Sequence, residues 1–190
     1  MKVRMVVVGI PGVGKTTVVD RVHSLVAGSK LVTFGTVMLE EGIRLGWIKH
    51  RDELRSLPVE KQKQLQTIAG TAIANTEERV LIVDTHLFIR TKEGFWPGLP
   101  FEVVRALSPT HLVLIEARSR EVLERRKKDS TRYRDVMSED EVQDELDLAR
   151  SFLTVSSTLT GAPMLIIRNE TDRSEEVAER LAATISEVSR

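Results

Sequence analysis

Residues 9–17 read Gly-Ile-Pro-Gly-Val-Gly-Lys-Thr-Thr and follow directly on the apolar run Val6-Val7-Val8. A strand that ends in GxxxxGK[ST] can wrap backbone N–H groups around polyphosphate oxygens. The missing side chains open the approach, and the helix that follows adds partial positive charge. Gly9, Gly14, Lys15 and Thr16 occupy the fixed positions, with Ile10, Pro11, Gly12 and Val13 between them. In this pattern Lys15 reaches the outer phosphates, the Thr16 hydroxyl ligates Mg²⁺, and Thr17 is a neighbour.

Asp84 closes the apolar run 80–84, the place where folds with such a loop put a carboxylate that holds magnesium through water. Alone, an aspartate after a strand reads equally as a turn or a helix cap. A bound triphosphate calls for a divalent counter-ion, and that favours the metal role. His86 has the chemistry of a general base, but phosphoryl transfer asks the protein for little proton movement. It therefore reads as a hydrogen-bonding member of the crevice wall, or as a loop residue. Positive charge is dense at Arg125, Arg126, Lys127, Lys128, Arg132 and Arg134. A charge run is usually a solvated face, the reading given to Arg126, Lys127 and Lys128. Arg132 and Arg134 stand in a short polar break, from which a closing loop could bring guanidinium groups to a phosphoryl group in transfer.

The elements that must position these groups are legible as periodicities. Residues 5–9, 80–84, 111–116 and 163–168 are Val/Ile/Leu-rich runs without alternation, as in strands buried on both faces of a parallel sheet, and 30–34 is a fifth. Leu65, Ile68, Ala69, Ala72 and Ile73 form a helical stripe after Pro58. Val142, Leu146, Ala149 and Leu153 form another after Ser138, whose Glu141 completes a capping box. Val177, Leu181 and Ile185 mark a C-terminal helix starting near Asp172 or Ser174. The alternation predicts an α/β fold, a doubly wound five-stranded parallel sheet with helices on both faces. Residues 90–100, with two glycines and two prolines, read as a loop that Phe95 and Trp96 anchor to the core or to a neighbouring subunit.

A chain of 190 residues supports one substantial core, and 41% hydrophobic with 29% charged residues excludes disordered and fibrous classes. The formal net charge of +0 gives no general attraction to nucleic acid or to an anionic membrane, so neither partner is expected. The apolar runs are strand-sized, well short of the roughly 20 residues of a membrane span. No cysteine is present, which excludes disulfides and thiolate zinc and is compatible with a reducing cytoplasm. Met1-Lys2-Val3-Arg4 leads into the first strand with no signal-peptide pattern, so a cytoplasmic location is expected.

GIPGVGKTT, FGTVML (34–39), RDELRSL (51–57), KQKQLQ (61–66), DTH (84–86), GLP (98–100), TRYRD (131–135) and LTGA (159–162), in this order, resemble the archaeal type of adenylate kinase across nearly the whole chain. The resemblance implies a P-loop NTPase fold of the adenylate-kinase type and an enzyme interconverting ATP plus AMP with two ADP. It also implies Mg²⁺ dependence without structural zinc, and a homotrimer. A core of 1–34, 80–124 and 138–190 would carry a small helical AMP-binding lobe at about 35–79 and a short lid at about 125–137. Gly9, Ile10, Pro11, Gly12, Val13, Gly14, Lys15, Thr16 and Thr17 match the ATP loop, and Arg125 matches the arginine that stacks on the ATP adenine. Gly35, Thr36, Met38, Arg51, Arg55, His86, Arg90, Gly98, Leu99 and Pro100 fall on the AMP side. The resemblance makes Lys15, Arg90, Arg132 and Arg134 catalytic, and Thr16 and Asp84 the metal-binding residues. Bacterial and eukaryotic relatives carry an arginine after TGDML where this chain has Glu40, so Arg51 or Arg55 is the substitute grip on the AMP phosphate.

The same residues allow a kinase for UMP, CMP or a small alcohol. From a different class, an adenylate-kinase-like ATPase could serve as a switch or assembly factor. A GTPase switch is disfavoured, because no glycine stands three residues after Asp84 and no Asn-Lys-x-Asp run occurs.

Overall fold

A computed structural model of the chain describes residues 2–91, 94–128 and 137–189, apart from the side chain of Arg55. Five parallel strands form the main sheet: β1 (Val3–Val8), β2 (Ser29–Thr33), β3 (Val80–Asp84), β6 (His111–Glu116) and β7 (Met164–Arg168), in the order β2-β3-β1-β6-β7. β1 and β3 are buried at every residue and β6 at all but its first, as their unbroken apolar runs require. The expectation of burial on both faces fails for the two edge strands: no residue of β2 is buried, and Met164 and Ile166 of β7 are exposed.

Helices α1 (Lys15–Leu25) and α7 (Ser174–Val188) pack against each other, with α7 starting at the serine the sequence suggested. A second group comprises α3 (Val59–Ala74), α4 (Phe101–Leu107), α5 (Ser119–Lys128) and α6 (Glu139–Thr160), with α4 touching both α3 and α6 and α5 lying on α6. Between β2 and β3 the chain makes a helical excursion through α2 (Phe34–Arg44), a short 3-10 turn (Arg51–Ser56) and α3. Two polar devices fix α6. The Ser138 hydroxyl accepts the Glu141 N–H, and the Glu141 carboxylate accepts the Ser138 N–H at 2.8 Å, so the expected capping box forms. Along the helix, Arg150 grips the buried Glu116 at the end of β6 through two bonds of 2.6 and 2.8 Å.

The loop expected over 90–100 is largely a β-hairpin. β4 (Phe88–Thr91) pairs antiparallel with β5 (Gly94–Pro97), with Ile89 opposite Trp96. Pro97 sits at the end of its strand, where a missing N–H does little harm, so the proline that suggested a loop is compatible with pairing. Phe95 meets Phe88 edge-on at 5.0 Å, and Phe88 meets Phe152 of α6 at 5.7 Å. It is Phe88 that enters the core, while Phe95 touches it edge-on and stays 40% exposed.

Register fixes where the ligand crevice lies. Val7 of β1 pairs with Asp84 on one side and Val113 on the other, and Thr33 at the end of β2 also pairs with Asp84. The glycine loop after β1, the Asp84–His86 segment after β3 and the start of α2 after β2 therefore share the carboxyl edge of the sheet, where doubly wound folds bind ligands.

Candidate active site

The loop at residues 9–14 turns from β1 into α1. Gly12 (φ 94°) and Gly14 (φ 82°) take left-handed conformations, and Gly14 is the residue that opens α1. A side chain at Gly14 would also run into the Asn169 amide, 2.5 Å from an added Cβ. Both positions therefore need glycine for conformation, and Gly14 needs it for space as well.

What surrounds the loop is more informative than the loop itself. Three of its carbonyls are taken by side chains from three other elements. His86 Nδ1 lies 3.1 Å from the Gly9 carbonyl, Arg126 Nε donates to Pro11 at 2.8 Å, and Asn169 Nδ2 donates to Val13 at 2.8 Å. Arg125 adds a 3.3 Å bond to Val13 and donates to the Asn169 carbonyl at 3.2 Å. A trans peptide holds each carbonyl antiparallel to the next N–H. Tying the Gly9, Pro11 and Val13 oxygens outward turns the N–H groups of Ile10, Gly12 and Gly14 the opposite way, as a polyphosphate cradle requires.

Lys15 is buried and pairs with the buried carboxylate of Asp84. Thr16 and Thr17 are exposed on the first turn of α1. One carboxylate and one hydroxyl, both hard oxygen donors, fit Mg²⁺, which keeps most of its waters and takes its other ligands from substrate phosphates. Among the described residues no cluster of three or more His, Asp or Glu side chains forms a metal site of its own.

Arg126 requires a correction. The charge run predicts a solvated face for it together with Lys127 and Lys128. Those two are exposed, but Arg126 is buried, because α5 sets it one turn from the fully buried Val122. Its guanidinium donates to Glu145 of α6 at 2.7 Å, and both side chains are under a tenth exposed. The other oxygen of Glu145 lies 3.8 Å from Arg90, and Glu141 lies 3.8 Å from Arg90 as well.

The remaining expected residues sort by position. Arg51 donates to the Thr36 hydroxyl at 3.2 Å, joining the 3-10 turn to the start of α2 near Gly35 and Met38. The Gly98 N–H bonds the Leu87 carbonyl at 2.8 Å, Leu99 is buried, and Pro100 caps α4, so this segment is strapped behind His86. Arg132 and Arg134 lie outside the described residues, and so does the Arg55 side chain. Three residues that hold the site escaped the sequence reading: Asn169, Arg126 and Glu145. Arg126 and Glu145 had a signal, since both occupy inward positions of their helices, whereas Asn169 had only its place directly after an apolar strand, which does not foretell its partner.

Residues 8–143 match the family model described as an AAA domain. The adenylate kinase of Methanocaldococcus jannaschii is 42% identical over 170 residues, covering 87% of this chain and 88% of its own. That of Methanopyrus kandleri is 41% identical over 184 residues, covering 95% and 96%. Among solved structures, shikimate kinase from Acinetobacter baumannii in complex with shikimate superposes with a TM-score of 0.66 at 14% identity, covering 99% of this chain and 95% of its own. The shikimate kinase of Aquifex aeolicus gives 0.59 at 18%, covering 98% and 99%. At these identities the structural likeness concerns the fold.

Replacing Arg126 by Met should leave Glu145 buried and, among the described residues, with only Arg90, at 3.8 Å, facing it. A loss of about 3–5 kcal/mol in urea unfolding is expected. The double variant Arg126→Met, Glu145→Leu should recover much of that loss.

Proposed function

The chain belongs to the archaeal adenylate kinase family and is a phosphotransferase, and on that premise we propose that it moves the terminal phosphoryl group of ATP to AMP, giving two ADP in the cytoplasm. The observation that carries the reading is the glycine loop whose Gly9, Pro11 and Val13 carbonyls are held by His86, Arg126 and Asn169, which by peptide planarity turns the next amides the other way, with Lys15 at the loop's end paired to Asp84. ATP would lie with its phosphates in this cradle. The Arg125 guanidinium, held by its edges on the Val13 and Asn169 carbonyls, leaves a face on which adenine can stack. AMP would occupy the space bordered by Gly35, Thr36, Met38, Arg51, His86 and the Gly98–Pro100 segment, with Arg90 and the substitute grip of Arg51 or Arg55 on its phosphate.

In the transfer an oxygen of the AMP phosphate forms a bond to the γ-phosphorus of ATP while the bond from that phosphorus to the bridging oxygen breaks. ADP leaves and the acceptor becomes ADP. No proton need move, so positioning and charge neutralisation supply most of the acceleration. Lys15, Arg90, Arg132 and Arg134 would spread the charge on the three equatorial oxygens. Mg²⁺ held by Thr16, and by Asp84 through water, would neutralise the donor phosphates.

The homotrimer implied by the resemblance belongs to this reading. Support for self-association comes from the large apolar side chains left exposed on α6 (Val155, Leu159) and on the edge strand β7 (Met164, Ile166).

A coupled assay should give ADP rapidly from ATP plus AMP and only slowly from ATP alone; equal rates would identify an ATPase, and faster turnover with UMP or CMP another acceptor. Arg90→Ala should raise KM for AMP about 10- to 100-fold, the scale of a lost charged hydrogen bond. Light scattering should return three times the 21.4 kDa of one chain, and the mass of a single chain would refute the trimer.

A further inference from the structure

Building on the assignment of Arg90 to the acceptor's phosphate, we propose that Glu141 and Glu145 are exchangeable counter-ions of Arg90, and that AMP binds by displacing them. The two carboxylates stand one turn apart on the same side of α6, and each has an oxygen 3.8 Å from an Arg90 nitrogen. That is ion-pair distance but too long for a hydrogen bond. Arg90 is half exposed, touches the Met137 sulfur at 3.6 Å and lies over the Phe95 ring at 5.7 Å, contacts that guide its side chain without gripping it.

Arg126 on the same Glu145 makes the contrast. It is buried, bonded at 2.7 Å, and fixed at its other end to the Pro11 carbonyl. Among the described residues Glu145 thus has one permanent partner and one loose one. A phosphate dianion presents oxygens that match the guanidinium fork, and it can take Arg90 from two carboxylates that only approach it. Acceptor affinity is then set by a competition: α6 holds the arginine near the site, and its carboxylates oppose the phosphate that must capture it.

Glu141→Gln isolates this effect, because glutamine can still close the capping box with Ser138 and only the charge is lost. KM for AMP should fall about two- to fivefold, the scale of an exposed ion pair. KM for ATP should stay unchanged, and the thermal midpoint should fall only slightly, since the charge lost also favours the first turn of α6. Asp140→Asn, the same charge change one residue away, should leave KM for AMP unaltered. In an Arg90→Ala background, Glu141→Gln should have no further effect on KM for AMP. An unchanged or higher KM for AMP in Glu141→Gln, or a fall of equal size without Arg90, overturns the proposal while leaving Arg90 on the phosphate. An Arg90→Ala enzyme with normal KM for AMP removes the underlying assignment instead, and the proposal with it.

Discussion

The structure depends on the outward tethering of one short loop. A glycine-rich turn is conformationally free, and left alone its amides would point in many directions. Here the carbonyls of Gly9, Pro11 and Val13 are each claimed from outside, by His86 after β3, Arg126 on α5 and Asn169 after β7. Each tether comes from a different element, so the loop is set only when the sheet and the helices beside it have assembled. The order of the strands supplies those elements, since β3 and β6 flank β1 and β7 follows β6.

Charge around the loop is balanced pair by pair. Lys15 faces Asp84, Arg126 faces Glu145, Arg150 faces Glu116, and Arg125 has Glu121 4.0 Å away. Burying unpaired charges at this density would be costly. Pairing lets the chain collect cations near a phosphate site while its formal net charge stays at +0. The pairs differ in tightness. Arg126 and Arg150 are held at hydrogen-bond distance and act as structure, whereas Arg90 stands farther from its carboxylates at the rim.

Much of this was legible in the sequence for physical reasons. Strands buried on both faces must read as unbroken apolar runs, which located β1, β3 and β6, and the Ser138–Glu141 cap announced α6. The glycine loop was readable because few other backbones need that spacing. Side chains that act at long range were harder to find. Asn169 is 156 positions from the Val13 carbonyl it holds, and no local pattern signals such a contact. Arg126 was misread because four consecutive cations suggest solvent, although the helix turns the second of them inward beneath Val122. The hairpin at 88–97 was hidden by its glycine and proline content. Its pairing depends on Phe88, Phe95 and Phe152 meeting, a tertiary event.

Titration calorimetry of MgATP against the Asn169→Ala protein tests the tethering most directly. Asn169 holds the Val13 carbonyl at 2.8 Å, closer than the 3.3 Å contact from Arg125, and its side chain is given no role in touching ATP, so its loss should weaken binding through the set of the loop amides. The account predicts binding about tenfold weaker than in the unaltered chain, the scale of one unmade buried hydrogen bond, with the fold intact by circular dichroism. Unchanged affinity in a folded Asn169→Ala protein would contradict it.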